Sequence, residues 1–122
     1  MLGWKPNNNR GFFHSDLQNN PWLQFQLNKV AVITSVMITN RKDCCGQRLS
    51  NIDVRAGMKK NILENPVVGF FKGPGATGGS YTVKLKKSRA LFIGFVLKGK
   101  GYLQLQGVKL NGIVNSKGKL QK

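Results

Sequence analysis

Apolar and polar residues alternate along several short runs of this 122-residue chain. A period of two residues predicts strands with one buried face and one face in solvent. The alternation is clearest at Leu23, Phe25 and Leu27, at Ile52, Val54 and Ala56, and at Tyr81, Val83 and Leu85. The continuous apolar run "ALFIGFVL", residues 90–97, has the length of a fully buried strand. In "GYLQLQGVKL" the alternation slips by one residue at Gly107, which predicts a β-bulge there.

Turn-rich stretches separate these runs and leave no room for a long amphipathic helix. They read "KPNNNRG", "DLQNNP", "CCGQ", "KGPGATGGS" and "KGKG". The pattern predicts an all-β fold, a two-sheet sandwich, in one domain over residues 1–112. Residues 113–122 lose the alternation and are rich in lysine, which predicts a flexible basic tail. "KGPGATGG" lacks the Gly-Lys-Ser/Thr ending of a phosphate loop, so we interpret it as a hairpin turn.

The net charge is +16, from 20 Lys and Arg against four Asp and Glu. Such a charge attracts acidic partners, although it is also compatible with a role in solubility alone. The basic clusters at 84–89 and 98–100 make acidic glycoconjugates or anionic membranes candidate partners. Aromatic residues do not interleave these clusters, which argues against nucleic acid as a partner. No apolar run approaches the roughly 18 residues of a membrane-spanning helix, so no transmembrane segment is expected.

Both cysteines of the chain stand side by side, at Cys44 and Cys45. Adjacent Cα atoms lie about 3.8 Å apart, below the roughly 4.4 Å at which ordinary disulfides begin, so a bond between them would be strained. It would also close no loop, which leaves a role in local shape. Two reduced thiols, or ligands of a metal, are the alternatives. A metal is disfavoured because His14 is the only histidine that could help.

Two arginines, Arg41 and Arg48, flank the cysteines, and Asp43 lies between them. One short turn thus gathers two guanidinium groups and a carboxylate that can orient them. Guanidinium groups bind hydroxyl pairs or carboxylates with directional hydrogen bonds. The alternative is a solvated loop with a surface ion pair.

The spacing of these residues resembles the sequence motif of the F-type lectins, or fucolectins. That motif is His, 26 residues, Arg, any residue, Asp, four residues, and Arg or Lys. Here His14, Arg41, Asp43 and Arg48 match it without deviation. The segments "NPWLQFQL", "VMITNRKDCCGQRL" and "YLQLQGVKLNG" also resemble the family, so the resemblance covers residues 14–112.

The resemblance implies an eight-stranded jelly roll of the discoidin-like class whose loops at one end bind α-L-fucose. His14, Arg41 and Arg48 correspond to the family's hydrogen-bond donors to the sugar ring oxygen and to the hydroxyls at carbons 3 and 4. Asp43 corresponds to the acid that orients the arginines. Cys44 and Cys45 correspond to a vicinal disulfide that packs against the apolar edge of the sugar.

The chain also departs from the family pattern. Only thirteen residues precede His14, so the N-terminal part of the fold is expected to be short. Phe12, Gln106 and Gly107 stand where the family often has a cysteine, its disulfide partner and a calcium-binding glutamate. The family's structural calcium site therefore looks degraded, and we expect no cofactor. The candidates to form the pocket for the fucose methyl group are Trp4, Phe12 and Phe13.

No paired carboxylates or nucleotide fingerprint point to an enzyme, so we expect recognition without chemistry. The resemblance implies fucosylated glycans or glycoproteins as partners, and a secreted location or a secretory vesicle such as the acrosome. A homo-oligomer or a tandem array is compatible with it. The alternative hypothesis is a basic domain that keeps the lectin fold and binds polyanions or anionic membranes. The preferred glycan, and a role in defence or in fertilisation, are not determined by the sequence.

Overall fold

The computed structural model describes residues 2–4 and 13–114, and within them the chain is almost entirely strand and loop, as the pattern predicts. Two single-turn 3₁₀ helices, Gly46–Arg48 and Ile62–Glu64, are the helical segments of that part. The strands, in chain order, are β1 Leu2–Trp4, β2 Phe13–His14, β3 Gln18–Asn19, β4 Trp22–Thr39, β5 Ile52–Gly57, β6 Val67–Phe71, β7 Ser80–Leu97, β8 Lys100–Gly101, β9 Gln104–Leu105 and β10 Gly107–Val114.

Two long antiparallel strands, β4 and β7, form the frame of the molecule. They pair in two separate stretches, residues 22–26 with 92–96 and residues 31–39 with 80–90, with a break in register between Gln26 and Ala31. β10 and β1 extend the sheet beside 31–39, while β5 and β6 extend it beside 92–97. The two halves of β4 and β7 therefore belong to two layers, which is the expected sandwich.

The core lies between these layers. It is formed by the alternate residues of each strand whose side chains point inward. Val36 and Ile38 of β4 are fully buried, as are Val54 of β5 and Phe95 of β7. The layers meet closely at Gly69 of β6, where an added Cβ would lie 2.5 Å from the Leu85 side chain of the opposite layer. Because a core packed this tightly tolerates little movement, it is a rigid platform for the loops at its end.

The predicted bulge at Gly107 is wrong. Residues 104–105 pair with β2 in a separate two-stranded sheet, whereas β10 pairs with β4 from Gly107 onward. The slip in alternation therefore marks a change of partner strand at Gln106. The register irregularity of β10 lies further on, between Asn111 and Gly112.

The loop of residues 72–79 is not the predicted hairpin turn. It joins β6 to β7, but β5 lies between these two strands in the sheet. Its turn residues gave no indication of which strands it connects, and β6 itself was not predicted.

Near the C-terminus, β10 continues to Val114, two residues past the predicted domain boundary. Residues 115–122 of the predicted tail lie outside the described part.

Candidate functional site

The loop of residues 40–49, hereafter the cysteine loop, is closed by a buried asparagine. Asn40 is only 1% exposed, and its side-chain amide donates to the carbonyl oxygens of Gly46 and Ala76, both at 2.9 Å. Its side-chain oxygen accepts from the backbone N–H of Arg41 at 2.8 Å. One side chain thus satisfies backbone groups at both ends of the loop, which fixes the direction in which Arg41 leaves β4.

A second loop, residues 72–79, supports the cysteine loop from behind and is hereafter the backing loop. The Gly78 N–H donates to the Arg41 carbonyl at 2.7 Å, and the Gly46 N–H donates to the Thr77 hydroxyl at 3.1 Å. A Cβ on Gly46 would clash with the backbone of Ala76 and Thr77, so only glycine allows this approach. The two loops therefore form one rigid unit.

A disulfide joins Cys44 to Cys45, which confirms the vicinal bond that the resemblance implies. Their Cα atoms are 3.7 Å apart. Cys45 has a φ of 65°, in the left-handed region that residues other than glycine rarely occupy. Both cysteines are half-buried. The bond excludes the free-thiol and metal-ligand alternatives for this pair.

Asp43 orients Arg41 through a two-pronged contact. Arg41 Nε donates to Asp43 Oδ1 at 2.6 Å, and Arg41 Nη2 donates to Oδ2 at 3.2 Å. These hydrogen bonds lower the pKa of the Asp43 carboxyl group below its ordinary value, and they raise the pKa of Arg41. Because the Asp43 side chain is 65% exposed, the pair sets direction rather than adding much to stability.

His14 reaches the site from the other end of the chain. β2 pairs with β9 so that His14 lies opposite Gln104. Ser15 continues the pairing, because its N–H donates to the Leu103 carbonyl at 2.9 Å and its hydroxyl accepts from the Leu103 N–H at 2.8 Å. His14 Nδ1 lies 2.6 Å from the Ser15 carbonyl oxygen, which can only accept, so Nδ1 carries a hydrogen.

Gln104 joins the three predicted sugar-contacting side chains at a single point. Its side chain is 2% exposed. Its carboxamide oxygen accepts from Arg48 Nη1 at 2.8 Å and from Arg41 Nη1 at 3.3 Å, and it lies 2.8 Å from His14 Nε2, which donates to it when the ring carries hydrogen on both nitrogens. The oxygen must face these atoms, because the amide nitrogen would meet two guanidinium donors there. The structure thus brings His14, Arg41 and Arg48 together although 26 residues separate the first two.

Tyr102 supports two of these side chains. The Arg48 guanidinium carbon lies 4.6 Å from the centre of the Tyr102 ring, and the His14 ring centre lies 5.3 Å from it. A cation over an aromatic face gains about 0.5–1 kcal/mol at a partly exposed site. Sequence reasoning missed both Tyr102 and Gln104. The only signal for them was their position, two residues apart in the alternating run "GYLQLQ".

The assembled site is rich in hydrogen-bond donors, with one imidazole and two guanidinium groups, and the cysteine loop that carries both arginines also carries the disulfide. Such a set suits a neutral or anionic ligand that is rich in oxygen. In the part of the chain that the structure describes, no three His, Cys, Asp or Glu residues lie close enough to hold a metal ion. Likewise, no helix there is long and apolar enough to cross a membrane.

Of the three candidates for the methyl pocket, only the side chain of Phe13 lies within the described part. It is half-buried and packs against the hydrophobic core. Phe12 and the side chain of Trp4 lie outside that part. The methyl pocket stays a prediction.

The chain is similar to several known proteins in sequence and in fold. The sequence model of a family described as "NedA-like, galactose-binding domain" matches residues 7–93. The chain is 44% identical over 71 residues to a fucolectin of Anguilla anguilla, a match that covers 57% of this chain and 44% of the fucolectin. The resemblance to F-type lectins is thereby confirmed, while the chain spans less than half of that relative.

Two solved structures show the same fold. An F-lectin (fucolectin) from the serum of the striped bass, Morone saxatilis, superposes with a TM-score of 0.80 at 29% identity, over 88% of this chain and 38% of that one. A fucose-binding module of Streptococcus pneumoniae superposes with a TM-score of 0.65 at 27% identity, over 85% of this chain and 76% of the module. The predicted jelly-roll fold of the discoidin-like class is confirmed.

Proposed function

The chain belongs to the family of NedA-like galactose-binding domains, and from this premise we propose that it is a lectin domain that binds α-L-fucose on glycans without altering them. One observation carries the proposal: His14, Arg41 and Arg48 converge on one point, and the loop that carries both arginines also carries the Cys44–Cys45 disulfide. The names of the fucolectin and of the fucose-binding module support fucose over other sugars.

The chemistry of the site suits a sugar of this kind. Guanidinium groups offer paired N–H donors that match two neighbouring hydroxyl oxygens of a pyranose ring. The imidazole N–H of His14 adds a hydrogen-bond donor that approaches the sugar from a third direction. The disulfide supplies a small apolar surface against which the C–H groups of the sugar can pack. Asp43 keeps Arg41 turned toward the ligand, so little side-chain entropy is lost on binding.

The fucosylated partner would be extracellular. Disulfides persist in oxidising compartments, and the bond between Cys44 and Cys45 fits that environment. The similar bass lectin is described as a serum protein. We therefore propose secreted or cell-surface glycoproteins as partners.

A glycan array tests the proposal directly. The domain is applied to fucosylated and matched non-fucosylated glycans, with free L-fucose or free D-galactose as competitor. We expect binding to the fucosylated members alone, and competition by L-fucose. Because the family is described as galactose-binding, competition by D-galactose alone would replace fucose with galactose as the ligand. Binding that salt removes and neither sugar inhibits would favour the polyanion alternative.

A further inference from the structure

Gln104 contacts the same three side chains that the proposed function assigns to the sugar. The two shortest contacts of its carboxamide oxygen, both 2.8 Å, are with His14 Nε2 and Arg48 Nη1. Because His14 Nε2 can carry only one hydrogen, a ligand oxygen that accepted from it would have to lie where the Gln104 oxygen lies. Gln104 is 2% exposed and belongs to β9, a strand unconnected with the cysteine loop in sequence.

We propose that Gln104 is an internal competitor: in the sugar-free protein its carboxamide oxygen takes the place of a sugar hydroxyl oxygen, and fucose binds by displacing it. This inference rests on the proposed function. Beyond that function, it makes Gln104 a residue that sets the affinity for fucose, and it makes the withdrawal of its side chain a part of binding.

The hydrogen bonds of His14 carry the first step of the argument. Each imidazole nitrogen holds at most one hydrogen. Nδ1 faces the Ser15 carbonyl oxygen, and Nε2 faces the Gln104 oxygen. In the ring form that carries hydrogen on both nitrogens, each hydrogen already has an acceptor. A sugar oxygen can accept from Nε2 only after Gln104 has left.

The second step is that the donors are held in place more firmly than the acceptor. Arg41 is fixed by its two contacts with Asp43, and Arg48 lies over the ring of Tyr102. The His14 ring is fixed by the Ser15 carbonyl. Withdrawal of the Gln104 carboxamide by rotation of its side-chain bonds leaves all three donors on these other partners, so exchange of the acceptor requires the least rearrangement.

The lone pairs of the carboxamide give a third step. A carbonyl oxygen has two lone pairs, yet three donors approach this one. The Arg41 contact is the longest, at 3.3 Å, so the two shorter contacts carry most of the interaction. Sugar hydroxyls bring several oxygens to the same donors. They can therefore satisfy more donors than Gln104 does, which is what makes displacement favourable.

The test compares Gln104→Ala with the wild-type domain by calorimetric titration of L-fucose. Removing the carboxamide should tighten fucose binding about tenfold, because the sugar no longer competes with an internal hydrogen bond. Gln104→Glu should abolish fucose binding, since a carboxylate would hold both guanidinium groups through stronger, charge-assisted bonds. Gln26→Ala, which removes an exposed glutamine of β4, is the matched control and should bind as the wild type does.

The outcomes separate this inference from the proposed function. If the wild type binds fucose and Gln104→Ala binds equally or more weakly, Gln104 supports the donors and the competitor role is wrong, while the lectin function stands. If neither binds any fucosylated glycan, both are wrong. Thermal melting checks that the variants fold, and Gln104→Ser replaces Gln104→Ala if the latter does not. A crystal structure of the wild type with L-fucose must show Gln104 withdrawn from His14 Nε2, and a retained contact would overturn the inference.

Discussion

At the scale of single residues, the site depends on side chains that support the predicted sugar contacts. His14, Arg41 and Arg48 lie at motif positions that can be counted along the chain. Tyr102 and Gln104 reach the same site through the pairing of β2 with β9. Each acts on the donors themselves, because Tyr102 stacks on Arg48 and Gln104 accepts from it.

Replacing Tyr102 tests whether its ring holds Arg48 in position. Tyr102→Leu should weaken fucose binding about two- to fivefold, because a cation–π contact at a partly exposed site is worth about 0.5–1 kcal/mol. Tyr102→Phe keeps the ring face and should bind as the wild type does. The measurement is calorimetry with L-fucose. Equal losses in both variants would show that the hydroxyl group, and not the stacking, matters.

The difference between what the sequence predicted and what it missed has a physical reason. The arginines, Asp43 and the disulfide lie within one loop, so their spacing survives as a pattern in the chain. The contribution of Gln104 depends on strand register across about 90 residues, and alternation alone assigned its side chain to the face opposite Leu103 and Leu105 without saying what lies there. Nonlocal pairing of this kind leaves no local signal.

At the scale of elements, the cysteine loop works because the backing loop supports it. The backing loop was predicted to be a hairpin turn, since its glycines and proline fit many turns and do not identify the strands they join. In the structure it connects two strands that are not neighbours, and this crossing carries it behind Gly46. The hydrogen bonds from the Gly78 N–H to the Arg41 carbonyl and from the Gly46 N–H to the Thr77 hydroxyl hold the two loops together.

Reduction of the disulfide should therefore affect binding more than stability. The bond between Cys44 and Cys45 closes almost no loop, so it constrains the unfolded chain very little. With a mild reductant we expect fucose affinity to fall, while the melting temperature changes little. Titration and thermal melting of the same sample measure the two effects.

Gly46→Ala is the contrasting change. Its methyl group would push against the backbone of the backing loop, so both affinity and melting temperature should fall together. If reduction lowered the melting temperature as much as Gly46→Ala does, the disulfide would be a structural brace rather than part of the sugar surface.

At the scale of the whole molecule, the proposed site for an uncharged sugar belongs to a chain whose net charge is +16. The site is formed by the cysteine loop, which follows β4, and by the paired strands β2 and β9. Exposed lysines lie on β7, after it and on β8, at Lys84, Lys86, Lys87, Lys98 and Lys100, and also in the cysteine loop at Lys42 and in the backing loop at Lys72. Their long-range field can concentrate acidic glycoconjugates near the domain without contacting the sugar.

Salt should separate these two contributions. Raising the salt concentration from about 50 to about 500 mM shortens the screening length well below 10 Å, so binding to sulfated or sialylated surfaces should weaken. Binding of free L-fucose should hardly change, because its contacts are short hydrogen bonds to an uncharged ligand. Surface binding assays and calorimetry across the salt series measure both. A strong salt dependence of fucose binding itself would place the sugar on the basic surface instead.

The central claim, that the cluster of His14, Arg41 and Arg48 binds fucose, is tested most directly by calorimetric titration of L-fucose into the wild type, Arg48→Ala and Arg89→Ala. Arg89 is an exposed arginine of β7, so its removal changes the net charge equally without touching the cluster. Loss of a charge-assisted hydrogen-bonding group costs about 1.5–3 kcal/mol, roughly a ten- to hundredfold loss of affinity. The account predicts that loss in Arg48→Ala, with Arg89→Ala unchanged and all three proteins folded. Retained affinity in Arg48→Ala, or an equal loss in Arg89→Ala, would contradict it.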